Sequence, residues 1–409
     1  MKQNRGFPKI TVTQKAQAAL EAGHPWVYDT ELLSPSDDMP NGSLVDVASE
    51  KNKYLGTGIL SLKSKIRIRI ISRNANDSFD ESFFERRIRY AWDYRKTVMA
   101  DDCGACRVIF GEADQFPGLT VDRYGGLLVT QTLSVGIEKL KPMLFPLIYK
   151  VLRDDGQKIS GIYERNDVSI RELEGLEQNK GWFALDCVPQ PDSALTVISE
   201  NGIEYEVDVE NGQKTGFFLD QKYNRRAVSR LAKGKRVLDC FTHTGSFALN
   251  AALGGAEHVC AVDISESAID MARKNARRNG LESRMEFKVA DIFDLLPELE
   301  QNGEKPFDFI ILDPPAFTKS RKTIGGALRG YKEINYRAMK LLPRGGYLAT
   351  CSCSHFVDNE LFCKMLRSVA RDASVELRQI EARQQSPDHP VLWNVPETDY
   401  LKFYIFQVV

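Results

Sequence analysis

Residues 236–264 read RVLDCFTHTGSFALNAALGGAEHVCAVDI, and the reading of this stretch decides the fold. Arg236 to Phe241 and His258 to Ile264 are short apolar runs without polar alternation. A helical segment, Ser246 to Leu253, lies between them. Unalternating runs joined through a helix are the pattern of parallel strands covered on both faces. Further along, Met285 to Asp291, Phe307 to Asp313 and Tyr347 to Ser354 read as the third, fourth and fifth strands, and Ser265 is placed to cap the helix after the second strand. Strands alternating with helices predict an α/β doubly wound parallel sheet. Glu376 to Glu381 and Tyr400 to Val409 are expected to close it as a hairpin-like pair.

Upstream of about Asn211 the pattern differs. The first 72 or so residues form short runs separated by turn residues, such as Gly42 to Val47 and Tyr54 to Leu60, and read as a small β-rich module. Lys65 to Ile70 alternates with period two, which puts Lys65, Arg67 and Arg69 on one strand face and three isoleucines on the other. That basic face reads either as a solvated surface or as a ribbon for phosphates. A helical pattern follows from about Phe79, then a strand-and-turn region from Arg107 to Val129, with a further strand at Ile203 to Asp208.

The whole chain has 409 residues, enough for two or three domains, and 55 basic against 56 acidic side chains give a formal net charge of −1. A nucleic-acid partner must then be held by local basic patches. Hydrophobic residues at 43% and charged residues at 27% exclude disordered, collagenous and disulfide-scaffold classes. No apolar stretch follows Met1, and the most apolar segment, Met143 to Leu152, is interrupted by Pro146 and Lys150. Eight cysteines in such a chain read as reduced thiols, so a cytoplasmic protein is expected.

Ligands of such sheets sit at the carboxyl ends of the strands, where Asp263, Asp291 and Asp313 end three runs. The first turn, Asp239 to Phe247, carries one glycine where a dinucleotide fold uses three to approach a pyrophosphate. A nucleoside ligand without phosphate fits better, and S-adenosylmethionine meets that description. Asp263 would accept from the ribose hydroxyls, Asp291 from the adenine amino group, and Asp239 would meet the ammonium of the methionine end. The candidate cofactor set is Asp239, Phe241, Thr242, Thr244, Gly245, Asp263, Ile264, Asp291, Ile292 and Asp313.

Asp313-Pro314-Pro315-Ala316-Phe317 follows the fourth strand. Prolines there leave carbonyls free to accept from a planar base, the Asp313 carboxylate can accept from a ring N–H or an amine, and Phe317 can stack. Cys353 lies nearest the carboxyl end of the fifth strand, with Cys351 two residues before it. A thiolate there suits one reaction: addition at cytosine C6 makes C5 nucleophilic toward a methyl sulfonium. Cys103 and Cys106 lack a second ligand pair and read as structural. Lys319, Arg321, Lys322, Arg329 and Lys332 form a basic loop placed to clamp phosphates.

These residues resemble, over nearly the whole length, the bacterial large-subunit ribosomal RNA methyltransferases that make 5-methylcytidine in 23S RNA. The segments that carry the resemblance are His24 to Tyr28, Gly111 to Gly118, Lys214 to Gln221, Asp313 to Pro315, Arg329 to Asn335, Ser352 to Ser354 and Asp388 to Pro390. The resemblance implies a PUA-like RNA-binding β-barrel at 1–73, a central α/β domain at 74–195 and a Rossmann-like class I methyltransferase domain at 196–409, with a mostly parallel seven-stranded sheet. It also implies Cys353 as nucleophile, Lys214 and Gln221 as part of the cofactor's cover, 23S ribosomal RNA or a large-subunit particle as partner, and a homodimer. The chain departs from the family at Ala316, where lysine is usual, and in the extra thiol of Cys351. Two other readings stand beside this one: methylation of a purine nitrogen through the Asp-Pro-Pro segment, and an RNA-binding assembly protein with a vestigial cofactor site.

Overall fold

Strands that are buried on both faces need apolar side chains at every position, and Phe309–Leu312 (Phe-Ile-Ile-Leu), buried throughout, meets that need. In the computed structural model, which describes residues 6–34, 38–186, 190–303, 305–318 and 320–409, it is central to a seven-stranded sheet. The strands are β1 (Arg236–Asp239), β2 (His258–Asp263), β3 (Met285–Val289), β4 (Phe309–Leu312), β5 (Tyr347–Ser352), β6 (Leu377–Arg383) and β7 (Lys402–Val408), in the order β3-β2-β1-β4-β5-β7-β6. The first five run parallel, while β7 is antiparallel to both of its neighbours.

The predicted closing pair is therefore present, but antiparallel β7 inserts between β5 and β6. All five predicted parallel strands stop short of their expected ends because the last residues turn into loops or caps. Asp291, for instance, caps the next helix by accepting from Phe293 N at 2.8 Å. Among the described residues six α-helices accompany the sheet: α1 (Lys222–Leu231), α2 (Ser246–Leu253), α3 (Glu266–Arg278), α4 (Ile292–Gln301), α5 (Ile324–Leu341) and α6 (Asn359–Asp372). Leu238, Val262, Ile310 and Leu348 pack with α4, α5 and α6 on one face. Val237, Val259, Ile311 and Phe403 pack with α1 and α2 on the other. Strand order reverses between β1 and β4, so the ligand crevice belongs at their carboxyl ends.

The chain divides into two compact units, and this sheet belongs to the second: Ser199–Glu206, Asp220–Ser386 and Asp399–Val409. The first unit comprises Met1–Ile198, Val207–Leu219 and Pro387–Thr398. It holds a five-stranded sheet of Lys9–Val12, Leu44–Ser49, Tyr54–Leu60, Ile66–Ser72 and Trp26–Tyr28, in that order. A second five-stranded sheet orders Lys180–Phe183, Gly161–Arg165, Leu127–Thr132, Leu119–Tyr124 and Ala105–Phe110, with the helices Glu81–Met99 and Val135–Asp154. No helix is long and apolar enough to cross a membrane among the described residues.

The basic strand face is neither of the two surfaces expected. Arg69 is buried and pairs with Glu174 at 2.8 Å, and Arg67 donates to the Leu62 carbonyl, so only Lys65 is fully exposed. The Cys103 and Cys106 thiols turn to backbone carbonyls, Cys103 toward Arg95 O and Cys106 toward Cys103 O.

In the second unit Arg225 on α1 forms a two-pronged pair with Glu200, at 2.6 and 2.8 Å, with both side chains buried. Removing one member leaves the other charge buried and uncompensated, at a cost of about 3–5 kcal/mol, whereas replacing both by apolar groups is far milder. Arg225→Met is expected to lower the thermal transition of this unit by roughly 6–20 °C. Adding Glu200→Leu to it should restore much of the loss, read by calorimetric melting of the three proteins.

Candidate active site

Asp239 ends β1 and is fully buried. Its Oδ2 accepts from Thr242 Oγ1 at 2.7 Å and from Ala248 N at 3.0 Å, while Oδ1 is buried with no partner among the described residues. Burial, reinforced by the charges of Asp313 and Asp263, pushes its carboxyl up to about 7. The turn after β1 is held by Thr242 N to Val262 O and by Gly245 N to Thr242 O. Gly245 adopts φ +86°, and a Cβ there would meet Ala272 Cβ at 3.0 Å, so a side chain would strain the backbone and crowd α3. Thr244 Oγ1 is also buried without a partner among the described residues. Phe241 is half-buried against the sheet core.

Asp263 ends β2. Its two oxygens accept backbone N–H groups, His243 at 2.9 Å and Ser265 at 3.0 Å, which fixes the carboxylate at the strand end. Burial pushes the His243 imidazole down to about 4, so it is neutral at physiological pH. Ile264, next in sequence, is 70% exposed, an unusual setting for a branched apolar side chain and a suitable platform for a planar base. Asp291 is exposed at the start of α4. The Ile292 side chain is buried in the core, so that expected cofactor residue has only its backbone to offer. Phe293, which the sequence reading passed over, is 40% exposed on the first turn of α4. Helical periodicity from the Asp291 cap was the signal that could have singled it out.

Beyond β4, Asp313 Oδ1 accepts from Cys351 Sγ at 2.8 Å and from Gln221 Nε2 at 3.1 Å. Burial pushes its carboxyl up to about 6. Gln221 is buried, with Oε1 accepting from Asn224 Nδ2 at 2.6 Å, so the amide orientation is set by α1. The two cysteines differ sharply. Cys351 is sealed within β5, and burial beside Asp313 holds its thiol well above the ordinary range. Cys353 lies past the last ladder pair of β5, is only half-buried, and places Sγ 3.9 Å from Pro314 O. Phe317 packs against Tyr331, ring centroids 4.6 Å apart, and is half-buried.

In the basic loop, Lys332 pairs with Asp372 at 2.6 Å, while Arg321, Lys322 and Arg329 are exposed; Lys319 lies outside the described residues. Lys214 belongs to the first unit, with φ +58°. Asp239 is thus close enough to Asp263 and Asp313 to feel both charges, and the three belong to one unit with Gln221 and Cys353. Among the described residues no group of three or more His, Cys, Asp or Glu side chains could hold a metal.

A buried carboxylate with one unpartnered oxygen, raised by its own desolvation and by like charges, fits a cation. S-adenosylmethionine carries an ammonium and a sulfonium, so the donor set suits it. A family model described as S-adenosylmethionine-dependent methyltransferase matches residues 187–406, and one described as a PUA-like domain matches residues 10–73. Ribosomal RNA large subunit methyltransferase I of Klebsiella pneumoniae (strain 342) is 38% identical over 98% of this chain and 99% of its own. The protein of that name from Erwinia tasmaniensis is 39% identical with the same coverage. Among solved structures, a protein from Streptococcus mutans described as a SAM-dependent methyltransferase superposes with a TM-score of 0.82 at 23% identity, covering 98% of this chain and 100% of that one. A methyltransferase complexed with SAH superposes at 0.83 and 22% identity, with the same coverage. Both structures speak to the fold. With full-length relatives at nearly two-fifths identity, this chain belongs to the S-adenosylmethionine-dependent methyltransferase family that includes ribosomal RNA large subunit methyltransferase I.

Proposed function

We propose that this enzyme methylates C5 of a cytosine in 23S ribosomal RNA, with Cys353 as covalent nucleophile. The observation that carries the reading is the contrast between the two thiols of one strand: Cys353 is accessible beside the Asp-Pro-Pro turn, and Cys351 is sealed behind it. The names of the relatives support ribosomal RNA as the substrate class. The family matches at 10–73 and 187–406 support an assignment of RNA-binding, central and catalytic domains to 1–73, 74–195 and 196–409.

Asp239 would hold the ammonium of S-adenosylmethionine, Asp263 its ribose, and Ile264 and Asp291 its adenine, with Gln221 in the cover. When bound, the cofactor supplies an electrophilic methyl group. The Cys353 thiolate forms a bond to C6, and the displaced electron pair makes C5 the nucleophile. Asp313, held neutral more easily than an ordinary carboxyl, hydrogen-bonds the N3 and N4 edge and stabilises the adduct. Once C5 is alkylated, a base takes H5, the C5–C6 double bond re-forms, and the Cys353 sulfur leaves with its bonding pair. A half-buried thiol reaches C6 only when the cytosine is out of its stack, so a flipped or single-stranded base is required.

Incubation with methyl-labelled S-adenosylmethionine and unmodified 23S RNA, followed by nucleoside mass spectrometry, should place the label in 5-methylcytidine. Label in a methylated purine would remove Cys353 from the chemistry. Cys353→Ala should abolish 5-methylcytidine formation, while Cys351→Ala retains it; the reverse pattern would exchange the two thiols.

Cofactor binding has a pH signature. Asp239 must be charged to hold an ammonium, and with its carboxyl near 7 the proton competes below neutrality. Affinity for S-adenosylmethionine should fall by about tenfold per pH unit below 7. Asp239→Asn should weaken binding by about 10–100-fold at pH 8 and flatten the dependence between pH 6 and 8, measured by titration calorimetry. Wild-type binding by that variant at both pH values would place the ammonium elsewhere.

A further inference from the structure

Lys402 opens β7 and is only 7% exposed, a costly position for an ammonium. Its Nζ donates to Ser354 O at 2.7 Å and to Tyr400 O at 2.8 Å, and it forms no salt bridge among the described residues. Two neutral carbonyls are modest compensation for a buried charge. The register places Lys402 at this turn: it pairs with Ser352 at the end of the β5–β7 ladder and holds the Ser354 carbonyl, with Cys353 between the two. Of the titratable groups acting on Lys402, Cys353 exerts the strongest pull, ahead of Asp399, Cys351 and Asp358. Tyr331 on α5 faces the same turn, its hydroxyl within 3.1 Å of Ser352 Oγ and 3.3 Å of Ser354 Oγ.

We propose that Lys402 is the positioning residue of the nucleophile: its ammonium favours the Cys353 thiolate, and its bond to the Ser354 carbonyl fixes the turn that presents the sulfur. The inference rests on Cys353 being the nucleophile. Burial, partly offset by the neighbouring thiols and carboxylates, pushes the Lys402 amine down to about 8, so the ammonium predominates at neutral pH. Two of its three N–H bonds are committed to carbonyls, which suits a fixed cation better than the base that takes H5. Among the described residues no carboxylate hydrogen-bonds to Lys402, and Asp399 and Asp358 act on it less strongly than Cys353.

The test is the pH profile of Cys353 alkylation by iodoacetamide, read on its peptide by mass spectrometry in wild type, Lys402→Met and Lys402→Arg. In the wild type the half-point should lie below that of an unstructured cysteine peptide. In Lys402→Met it should rise by about one unit, with kcat at pH 7 falling by about tenfold and the calorimetric Kd for S-adenosylmethionine unchanged. Lys402→Arg keeps the charge and should recover most of the shift. A wild-type half-point at or above that of the free peptide overturns the proposal without any variant, as does an unchanged half-point in a Lys402→Met protein that binds the cofactor normally. Failure of the underlying reading looks different: Cys353→Ala would still form 5-methylcytidine, whatever the alkylation profile shows.

Discussion

Everything at the site depends on holding a carboxylate, Asp239, at the end of a strand that is buried from Val237 onward. Desolvation of such a group costs several kcal/mol unless compensated, and the like charges of Asp263 and Asp313 add to that cost. The fold compensates one oxygen only, through Thr242 and the first turn of α2. The other is left for something positive. A parallel sheet covered on both faces makes this arrangement affordable, because the same apolar layers that desolvate Asp239 supply the stabilisation that tolerates it. The single glycine of the turn follows from the same geometry, since α3 packs against Gly245 where a side chain would stand.

The segments that carried the family resemblance do mostly architectural work. Asp114, in the Gly111 to Gly118 segment, pairs with the buried Arg95, whose Nη2 reaches Asp114 Oδ2 at 2.7 Å and Asp388 O at 3.0 Å. Asp388 Oδ2 in turn accepts from Arg107 N at 2.8 Å, and its Oδ1 lies 3.0 Å from His389 Nδ1. Thr215, in the Lys214 to Gln221 segment, donates to Asp122 at 2.6 Å, and Asp122 is also held by Arg107. These buried charges fasten residues 207–219 and 387–398 into the first unit. Geometry of that kind depends on the particular side chains, which is why such segments serve as a signature even where they touch no substrate.

The inner strands were legible because burial on both faces leaves a run of apolar residues, whereas the edge strands β3 and β6 carry exposed polar side chains. Strand ends were less so: Asp291 and Ser354 extend the run in sequence, yet a helix cap and a turn claim them in space. Arg69 misled because alternation reports which face a side chain points to, not what stands against that face; Glu174 is 105 residues away in sequence and neutralises it. Ile292 shows a related limit, since adjacency to an aspartate at a strand end says nothing about which way the next side chain turns. Lys402 left a visible mark, a lone lysine at the head of the apolar strand Lys402–Val408, but its partners come from the loop after β5 and only the register brings them together.

The same register explains why chemistry concentrates where it does. Leu312 and Thr350 form the last pair between β4 and β5, and Asp313 is the first residue past it after β4. Ser352 and Lys402 form the last pair between β5 and β7, and Cys353 is the first residue past that one. Inside the ladder a side chain is covered by neighbours on both flanks and by a helix layer, as Cys351 is. One position beyond the last pair, the neighbours fall away while the backbone is still fixed by the strand. A reactive thiol needs both conditions, access for the substrate and a rigid mount. Cys351 and Cys353 share a strand face by period two, so facing cannot distinguish them. The end of the ladder can, and it leaves Cys353 as the thiol a base could meet.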